Sequence, residues 1–243
     1  MKALVFAAGL GTRLRPLTDT MPKALVPVAG VPMLRRVLCK LRDAGLDSFV
    51  VNVHHFAGQI ENYLADNDFG VPIAISREER EPLETGGGIK HAAPLLASPE
   101  GRFLVHNVDI LSDLDVRWFL AQDDPESLAT LLLIDAPADR YLLFDDDMRL
   151  VGWTNVRTGE VKSPFLPDFD PAKYRRYSFC GIHVVSDAVF GKMAAWPDKF
   201  SIIDFYLQQA AENKIRGVVA PDLHLIDIGS PAKLAEAQTC PFL

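Results

Sequence analysis

Two glycines and three basic residues lie close together after the first apolar segment, in the run AAGLGTRLRPLT and the Pro-Lys pair that follows it. Gly9 and Gly11 allow a ligand to approach the backbone closely, and successive N–H groups in such a loop can line an anion site. Arg13, Arg15 and Lys23 add fixed positive charges, for which Arg offers a planar fork and Lys a point charge. This combination predicts a loop that binds a di- or triphosphate.

The predicted loop differs from two widespread phosphate-binding motifs. The dinucleotide-binding motif G-x-G-x-x-G needs a third glycine, and Leu14 stands at that position. The chain also contains no G-x-x-x-x-G-K-[ST] sequence. A dinucleotide-dependent oxidoreductase is therefore disfavoured.

A second glycine-rich segment reads Glu84-Thr85-Gly86-Gly87-Gly88 and begins a predicted helix. Glycines at the start of a helix lower its stability, so they suggest that the backbone passes close to something flat or bulky. Thr85 is expected to be the N-cap of this helix. The alternative is a tight strand-to-helix turn without a ligand.

Two carboxylates follow apolar runs elsewhere in the chain. Asp109 closes the sequence His106-Asn107-Val108-Asp109, and Asp227 lies in the last predicted strand. Mg²⁺ prefers oxygen ligands and is usually held by one or two carboxylates together with substrate phosphates. The two residues are a reasonable pair for a magnesium site, although either could instead cap a helix or satisfy a turn.

The elements that must position these residues alternate between apolar runs and amphipathic segments. In the first half, strands are predicted at 2–8, 48–53, 73–76, 103–106 and 128–134, and helices at 32–44, 58–65 and 86–96. Gly45 is expected to end the first helix. Strands that alternate with helices imply an α/β fold whose mostly parallel sheet has helices on both faces, with ligands at the carboxyl ends of the strands.

The second half is less regular. Its pattern predicts a hairpin of 141–144 and 149–153 around the polar turn at 145–147, a loop at 156–174, a strand at 178–185, a helix at 201–213, a strand at 225–228 and a short helix from Pro231. Because no repeat or linker interrupts the chain, we expect a single domain over residues 1–243.

Composition excludes several classes of protein. With 49% hydrophobic and 23% charged residues, the chain is typical of a globular protein and not of a disordered one. The formal charge of −7 argues against nucleic-acid binding, yet residues 1–42 hold eight basic residues and one acid, which concentrates positive charge around the predicted loop. Three scattered cysteines and no membrane-spanning stretch predict a cytoplasmic protein without a membrane partner. The oligomeric state stays open between a monomer and a small homo-oligomer.

The N-terminal segment resembles the signature of the sugar-1-phosphate nucleotidyltransferases, G-x-G-T-R-x-x-P-L-T followed by P-K. The PLETGGG sequence looks most like that of the small N-acetylmuramate-1-phosphate uridylyltransferases of peptidoglycan recycling, which favours a uridylyl donor. The resemblance implies a Rossmann-like fold with a nucleotide-binding half at 1–135 and a sugar-phosphate-binding half at 136–243. It further implies that a nucleoside triphosphate and a sugar 1-phosphate give an NDP-sugar and pyrophosphate, with Mg²⁺ as cofactor.

The same resemblance implies roles for individual residues. Lys23 would stabilise the α-phosphate region and Arg13 the leaving pyrophosphate, and Asp109 and Asp227 would bind the metal. The SFCGI strand would line the sugar through Ser178 and Gly181. The expected nucleotide contacts are Ala8, Gly9, Gly11, Thr12, Arg13, Lys23, Glu84, Thr85, Gly86, Gly87 and Asn107.

The sequence departs from the family pattern at two places, and several substrates stay open. Val108 stands where relatives often have glycine, and no Glu-Lys-Pro motif is evident near Trp153. Alternatives within the class are mannose 1-phosphate with GTP, glucose 1-phosphate, and phosphocholine with CTP. An inactive nucleotide-sensing regulatory protein is disfavoured because Lys23 and both carboxylates are present.

Overall fold

A ten-stranded sheet organises the structure, a computed structural model that describes residues 1–242. The strands are β1 (Lys2–Phe6), β2 (Pro27–Val28), β3 (Val31–Pro32), β4 (Ser48–Val53), β5 (Ile73–Arg77), β6 (Arg102–Asn107), β7 (Ile110–Ser112), β8 (Ala129–Ile134), β9 (Arg140–Phe144), β10 (Leu150–Asn155), β11 (Val161–Lys162), β12 (Arg175–Ser186), β13 (Ile215–Val219) and β14 (Leu225–Asp227). The helices are α1 (Met33–Asp43), α2 (Ala57–Ala65), α3 (Glu84–Leu96), α4 (Val116–Ala121), α5 (Val189–Met193), α6 (Ile202–Gln209) and α7 (Pro231–Ala237).

The sheet has a parallel part built from the first half of the chain. Strands β5, β4, β1 and β6 lie side by side in that order, and all of their pairings are parallel. The long strand β12 then joins β6 in the antiparallel direction and also pairs with β8 and β9. The predicted hairpin is confirmed, because β9 and β10 pair antiparallel around the turn at 145–147.

Helices cover both faces of the sheet, as predicted. Alternate residues of β1 point to opposite faces, so that Val5 joins an apolar cluster with helices α1, α2 and α4 while Leu4 joins one with α3, α5 and α6. Helix α1 buries Leu34, Val37 and Leu41 at helical spacing. Each such side chain contributes roughly 1.5–3 kcal/mol when fully buried. The α/β fold with a mostly parallel Rossmann-like sheet in a single domain is confirmed.

Some predicted elements differ from those observed. Thr85 is not an N-cap, because α3 begins at Glu84 and the Thr85 hydroxyl accepts a hydrogen bond from the Ile202 N–H at 3.1 Å. The predicted helix at 201–213 ends at Gln209. The stretch predicted as a loop, 156–174, contains strand β11 and a short 3-10 turn.

Several short elements were not predicted at all: β2, β3, β7, α4, α5 and β13. They are too short to show a clear period in the sequence. Strand β13 also contains Gly217, where a Cβ atom would lie only 2.5 Å from Leu133 Cδ1, so a larger residue there would have to displace the Leu133 side chain of β8. Within residues 1–242, no helix combines the length and apolar character needed to traverse a lipid bilayer.

A buried ion pair fixes the amino end of β6, opposite the end that carries Asp109. Arg102 donates two hydrogen bonds to the Asp123 carboxylate at 2.5 and 2.7 Å, and both side chains are only 10% exposed. The guanidinium also donates to the Ser127 carbonyl at 2.8 Å. Removal of one partner of such a pair leaves a buried charge without compensation.

We therefore expect Asp123→Asn to lower the free energy of unfolding by about 3 kcal/mol, because Arg102 stays charged and buried. Urea denaturation measures this change. Glu236→Gln is the matched control, since Glu236 forms an exposed pair with Lys233 and its loss should cost at most about 1 kcal/mol. Equal losses of unfolding free energy in the two variants would contradict the conclusion that Arg102 and Asp123 form a stabilising buried ion pair.

Candidate active site

The predicted phosphate-binding loop follows β1 and is held in one conformation by its own residues. Gly11 has a positive φ of 64°, which glycine adopts without strain. The Thr18 hydroxyl donates a hydrogen bond of 2.7 Å to the Gly11 carbonyl. A Cβ atom on Gly11 would lie 2.8 Å from Thr18 Cγ2, so the contact requires glycine at this position.

This loop forms one wall of a cavity of about 420 Å³ at the carboxyl ends of β1 and β6. Such an edge is where α/β sheets bind ligands. Ala8 precedes the loop and is buried, and it does not line the cavity. The predicted nucleotide and metal residues that line it are Gly9, Gly11, Thr12, Arg13, Lys23, Asn107 and Asp109.

A two-stranded ladder brings the second predicted carboxylate to the first. Strand β14 pairs antiparallel with β7, which places Asp227 opposite Ile110. The Ile228 N–H also donates to the Asp109 carbonyl at 2.9 Å. Residues more than a hundred positions apart therefore meet at one point.

Lys23 lies between the two carboxylates. Its ammonium group forms an ion pair with Asp109 and lies 3.8 Å from Asp227 Oδ1. Partial burial and the neighbouring Asp109 carboxylate raise the pKa of Asp227, while Lys23 and Arg13 act in the opposite direction. Arg13 reaches the same place, because a Cβ atom on Gly229 would lie 2.7 Å from its guanidinium.

The glycines of α3 pack against protein rather than line the phosphate-loop cavity. Gly86 and Gly87 are buried, and both of their N–H groups donate to the Phe200 carbonyl, at 2.9 and 3.2 Å. A Cβ atom on Gly86 would clash with the Phe200 ring, and one on Gly87 with the Asp198 carbonyl. Gly86 thus accommodates an aromatic side chain of the same chain, and Gly87 accommodates a backbone carbonyl.

The first residue of α3 is differently placed. Glu84 is exposed and has a positive φ of 62°, a conformation that non-glycine residues rarely adopt. The loop that leads to it is fixed by the buried carboxylate of Glu78, which accepts hydrogen bonds from the Leu83 N–H at 3.0 Å and from Asn52 at 2.9 Å. Such strain tends to persist only where surrounding structure enforces it.

A second cavity, of about 290 Å³, adjoins the first and shares Phe6 and Asn107 with it. It is lined by Gly181, Thr85 and Asp227 among others. Gly181 has a φ of 69°, and any Cβ atom there would clash with the Asn107 amide. The position therefore requires glycine.

Ser178 and His183 both belong to β12, but only one of them lines the second cavity. Ser178, a predicted sugar contact, does not line the second cavity, and its hydroxyl donates to the Ala136 carbonyl at 3.0 Å. His183 does line it, and Nδ1 lies 2.8 Å from the Tyr206 hydroxyl. Burial lowers the pKa of His183 to about 3, so the imidazole is neutral at physiological pH.

Sequence reasoning missed three residues that shape the site: Thr18, Glu78 and His183. Thr18 belongs to the predicted signature, but nothing in the sequence shows its bond to Gly11. Glu78 lies in a run of charged residues that is typical of a solvated surface, although only 4% of it is exposed. His183 lies two residues after Gly181, so both residues belong to the same face of the strand. This spacing is the only sequence signal that could have revealed His183.

Comparison with known proteins identifies the family. The profile of the Nucleotidyl transferase family matches residues 2–141. The N-acetylmuramate alpha-1-phosphate uridylyltransferase of Neisseria meningitidis serogroup B is 36% identical over 98% of this chain and 97% of its own length. The protein of the same name from Caulobacter vibrioides is 36% identical over 96% of this chain and 94% of its own length.

Solved structures support the same fold. HddC from Yersinia pseudotuberculosis superposes with a TM-score of 0.74 and 24% sequence identity, over 98% of this chain and 97% of its own. At that identity the likeness shows the fold alone. The family profile and the two full-length relatives, together with the position of the signature residues around one cavity, show that this chain belongs to the sugar-1-phosphate nucleotidyltransferases.

Proposed function

We propose that the protein transfers a uridylyl group from UTP to N-acetylmuramate α-1-phosphate, which gives UDP-N-acetylmuramate and pyrophosphate. One observation supports this class of reaction. Lys23, Asp109 and Asp227 lie together beside the phosphate-binding loop, where the two cavities adjoin. A triphosphate in the first cavity and a sugar phosphate in the second would present their phosphates to this point.

The proposed reaction is a substitution at phosphorus. A phosphate oxygen of the sugar 1-phosphate attacks the α-phosphorus of the nucleotide and forms a new P–O bond. The bond between the α-phosphorus and the bridging oxygen breaks, and its electron pair leaves with pyrophosphate. The attacking oxygen is already an anion, so the reaction needs no general base, and catalysis depends on alignment and on charge stabilisation.

The chain's own residues supply both effects in this proposal. The loop that contains Gly9 and Gly11 offers backbone N–H groups to the triphosphate. In the proposed reaction Arg13 stabilises the leaving pyrophosphate and Lys23 the α-phosphate region, and the presence of both residues in the lining of the first cavity supports these roles. Asn107 lines both cavities and is placed to position the two substrates relative to each other.

The two carboxylates fit a divalent cation. Asp109 and Asp227 provide oxygen donors close to each other, with Lys23 between them. Their repulsion, which contributes to the raised pKa of Asp227, would be relieved by such an ion. Mg²⁺ bound there would neutralise charge on the phosphate oxygens of both substrates.

The choice of UTP and N-acetylmuramate 1-phosphate rests on similarity over the whole chain. The two relatives described above carry that activity in their names and match both halves of this sequence. The predicted division into a nucleotide half, 1–135, and a sugar half, 136–243, is part of the proposal. So is a cytoplasmic site of action for a monomer or small homo-oligomer, with the three cysteines unpaired.

A substrate matrix tests the proposed pair directly. UTP, GTP, CTP, dTTP and ATP would each be combined with N-acetylmuramate 1-phosphate, mannose 1-phosphate, glucose 1-phosphate and phosphocholine, and pyrophosphate release measured. We expect the highest kcat/KM for UTP with N-acetylmuramate 1-phosphate. A preference for GTP with mannose 1-phosphate would reject the proposed substrates, and no turnover with any pair would favour a regulatory protein.

Substitution of a carboxylate tests the proposed catalytic centre. Asp109→Asn should lower kcat at least about a hundredfold. The proposed Mg²⁺ would lose a ligand, and the negative charge on the phosphates would be less well stabilised. Asp147→Asn is the matched control, since Asp147 is an exposed residue of the β9–β10 turn. Circular dichroism would verify that both variants are folded. Near-normal turnover of Asp109→Asn would contradict the assignment.

Metal removal tests the cofactor. Treatment with EDTA should abolish pyrophosphate release, and added Mg²⁺ should restore it. In Asp227→Asn, half-maximal activity should require a higher Mg²⁺ concentration, since one of two protein ligands is weakened. Full activity in EDTA, or an unchanged Mg²⁺ requirement in this variant, would count against the proposed metal site.

A further inference from the structure

A third cavity, of about 430 Å³, continues the row formed by the first two. It shares Phe179 and Ile203 with the cavity proposed for the sugar phosphate. That cavity in turn shares Phe6 and Asn107 with the phosphate-loop cavity. The three spaces therefore run from the phosphate loop, past Asp227, to the outer strands of the sheet.

The walls of the third cavity come from the antiparallel part of the sheet and from the start of α6. In β9 and β10 the paired residues Leu142 and Trp153 face it, and Lys162 of β11 pairs with Trp153. Arg140 lies on the same face of β9 as Leu142, two residues earlier. Seen from the phosphate loop, Trp153 and Arg140 therefore lie on the far side of the cavity proposed for the sugar phosphate.

The two cations of this cavity are in different electrostatic situations. Lys162 pairs with Asp204 at 3.0 Å, lies 4.0 Å from Glu160, and rests over the Trp153 ring at 5.3 Å. Arg140 is exposed, and within residues 1–242 no carboxylate forms an ion pair with it. Lys162 is therefore neutralised by its neighbours, whereas the Arg140 guanidinium keeps its donors for a ligand.

The second cavity cannot bind an additional anion by itself. Its lining includes no lysine or arginine, and its ionisable residues are the Asp227 carboxylate, the Cys180 thiol and the neutral His183. An anionic substituent on the far side of the sugar would be unpaired there. On the side away from the phosphate loop, the adjoining cavity is the third one, and Arg140 is its cation without an ion-pair partner in the part of the chain that the structure describes.

We propose that Arg140 is a specificity-determining residue that binds the carboxylate carried by the sugar, in the cavity next to Trp153. This inference rests on the proposed function. N-acetylmuramate differs from N-acetylglucosamine by a lactyl ether whose carboxylate is separate from the 1-phosphate. A guanidinium can hold a carboxylate through two parallel hydrogen bonds, and the adjoining indole ring offers a flat apolar surface to the lactyl group.

The test compares two sugars that differ only in this group. KM and kcat would be measured for N-acetylmuramate 1-phosphate and for N-acetylglucosamine 1-phosphate, at saturating UTP, in the wild type and in three variants. Arg140→Gln removes the charge and Arg140→Lys retains it. Arg157→Gln removes an exposed arginine that pairs with Asp139 and does not line the cavity, and it serves as the matched control.

We expect Arg140→Gln to raise KM for N-acetylmuramate 1-phosphate about 10- to 100-fold, as loss of a charge-assisted hydrogen bond predicts. Its KM for UTP and its kcat/KM for N-acetylglucosamine 1-phosphate should not change. Arg140→Lys should recover part of the affinity, and Arg157→Gln should resemble the wild type. This pattern would establish recognition of the carboxylate.

Two other results would overturn the inference in distinguishable ways. If the wild type prefers N-acetylmuramate 1-phosphate and Arg140→Gln keeps that preference, the proposed function stands and Arg140 is not its determinant. A similar rise of KM for both sugars would also reject carboxylate recognition. If the wild type turns over neither sugar with UTP, the proposed function itself fails, and the role of Arg140 fails with it.

Discussion

The site depends on one electrostatic arrangement, in which two carboxylates and a single ammonium group share the space between two strand ends. Asp109 and Asp227 repel each other, and the positive charges of Lys23 and Arg13 act against that repulsion. Two carboxylates thus lie where the phosphates of the proposed polyanionic substrates would come together. Phosphates can approach these carboxylates closely only if positive charge lies between them, and this is the electrostatic argument for the proposed divalent cation.

The fold supplies this arrangement through two kinds of strand pairing. Parallel pairing of β1 with β6 places the phosphate loop and Asp109 at the same edge of the sheet. Antiparallel pairing of the short strands β7 and β14 then returns the C-terminal part of the chain to that edge and positions Asp227. The parallel sheet alone would leave the site with one carboxylate, so the small ladder is as necessary to the centre as the large sheet.

Much of this architecture could be predicted from the sequence, and the limits have physical causes. Strands β1, β4 and β6 each contain an apolar run of three or four residues, and the phosphate loop is a contiguous motif, so local patterns reveal both. The β7–β14 ladder joins segments of three residues that are far apart in the chain, and no local pattern reports such a pairing. The glycines of α3 indicated a close approach correctly, but only the packed structure shows that Phe200 is what approaches Gly86.

The structure shows that few of the basic residues in 1–42 belong to the candidate site. Only Arg13 and Lys23 of these eight basic residues line the phosphate-loop cavity. Most of the others serve the fold: Lys2, Arg36, Lys40 and Arg42 donate to backbone carbonyls, and Arg15 pairs with Asp19. The attraction of the site for a triphosphate therefore comes from Arg13, Lys23 and the backbone N–H groups of one loop. Basic side chains that already bind other protein groups add little to this attraction at close range. The same reasoning distinguishes Arg140 from Lys162 at the other end of the row of cavities.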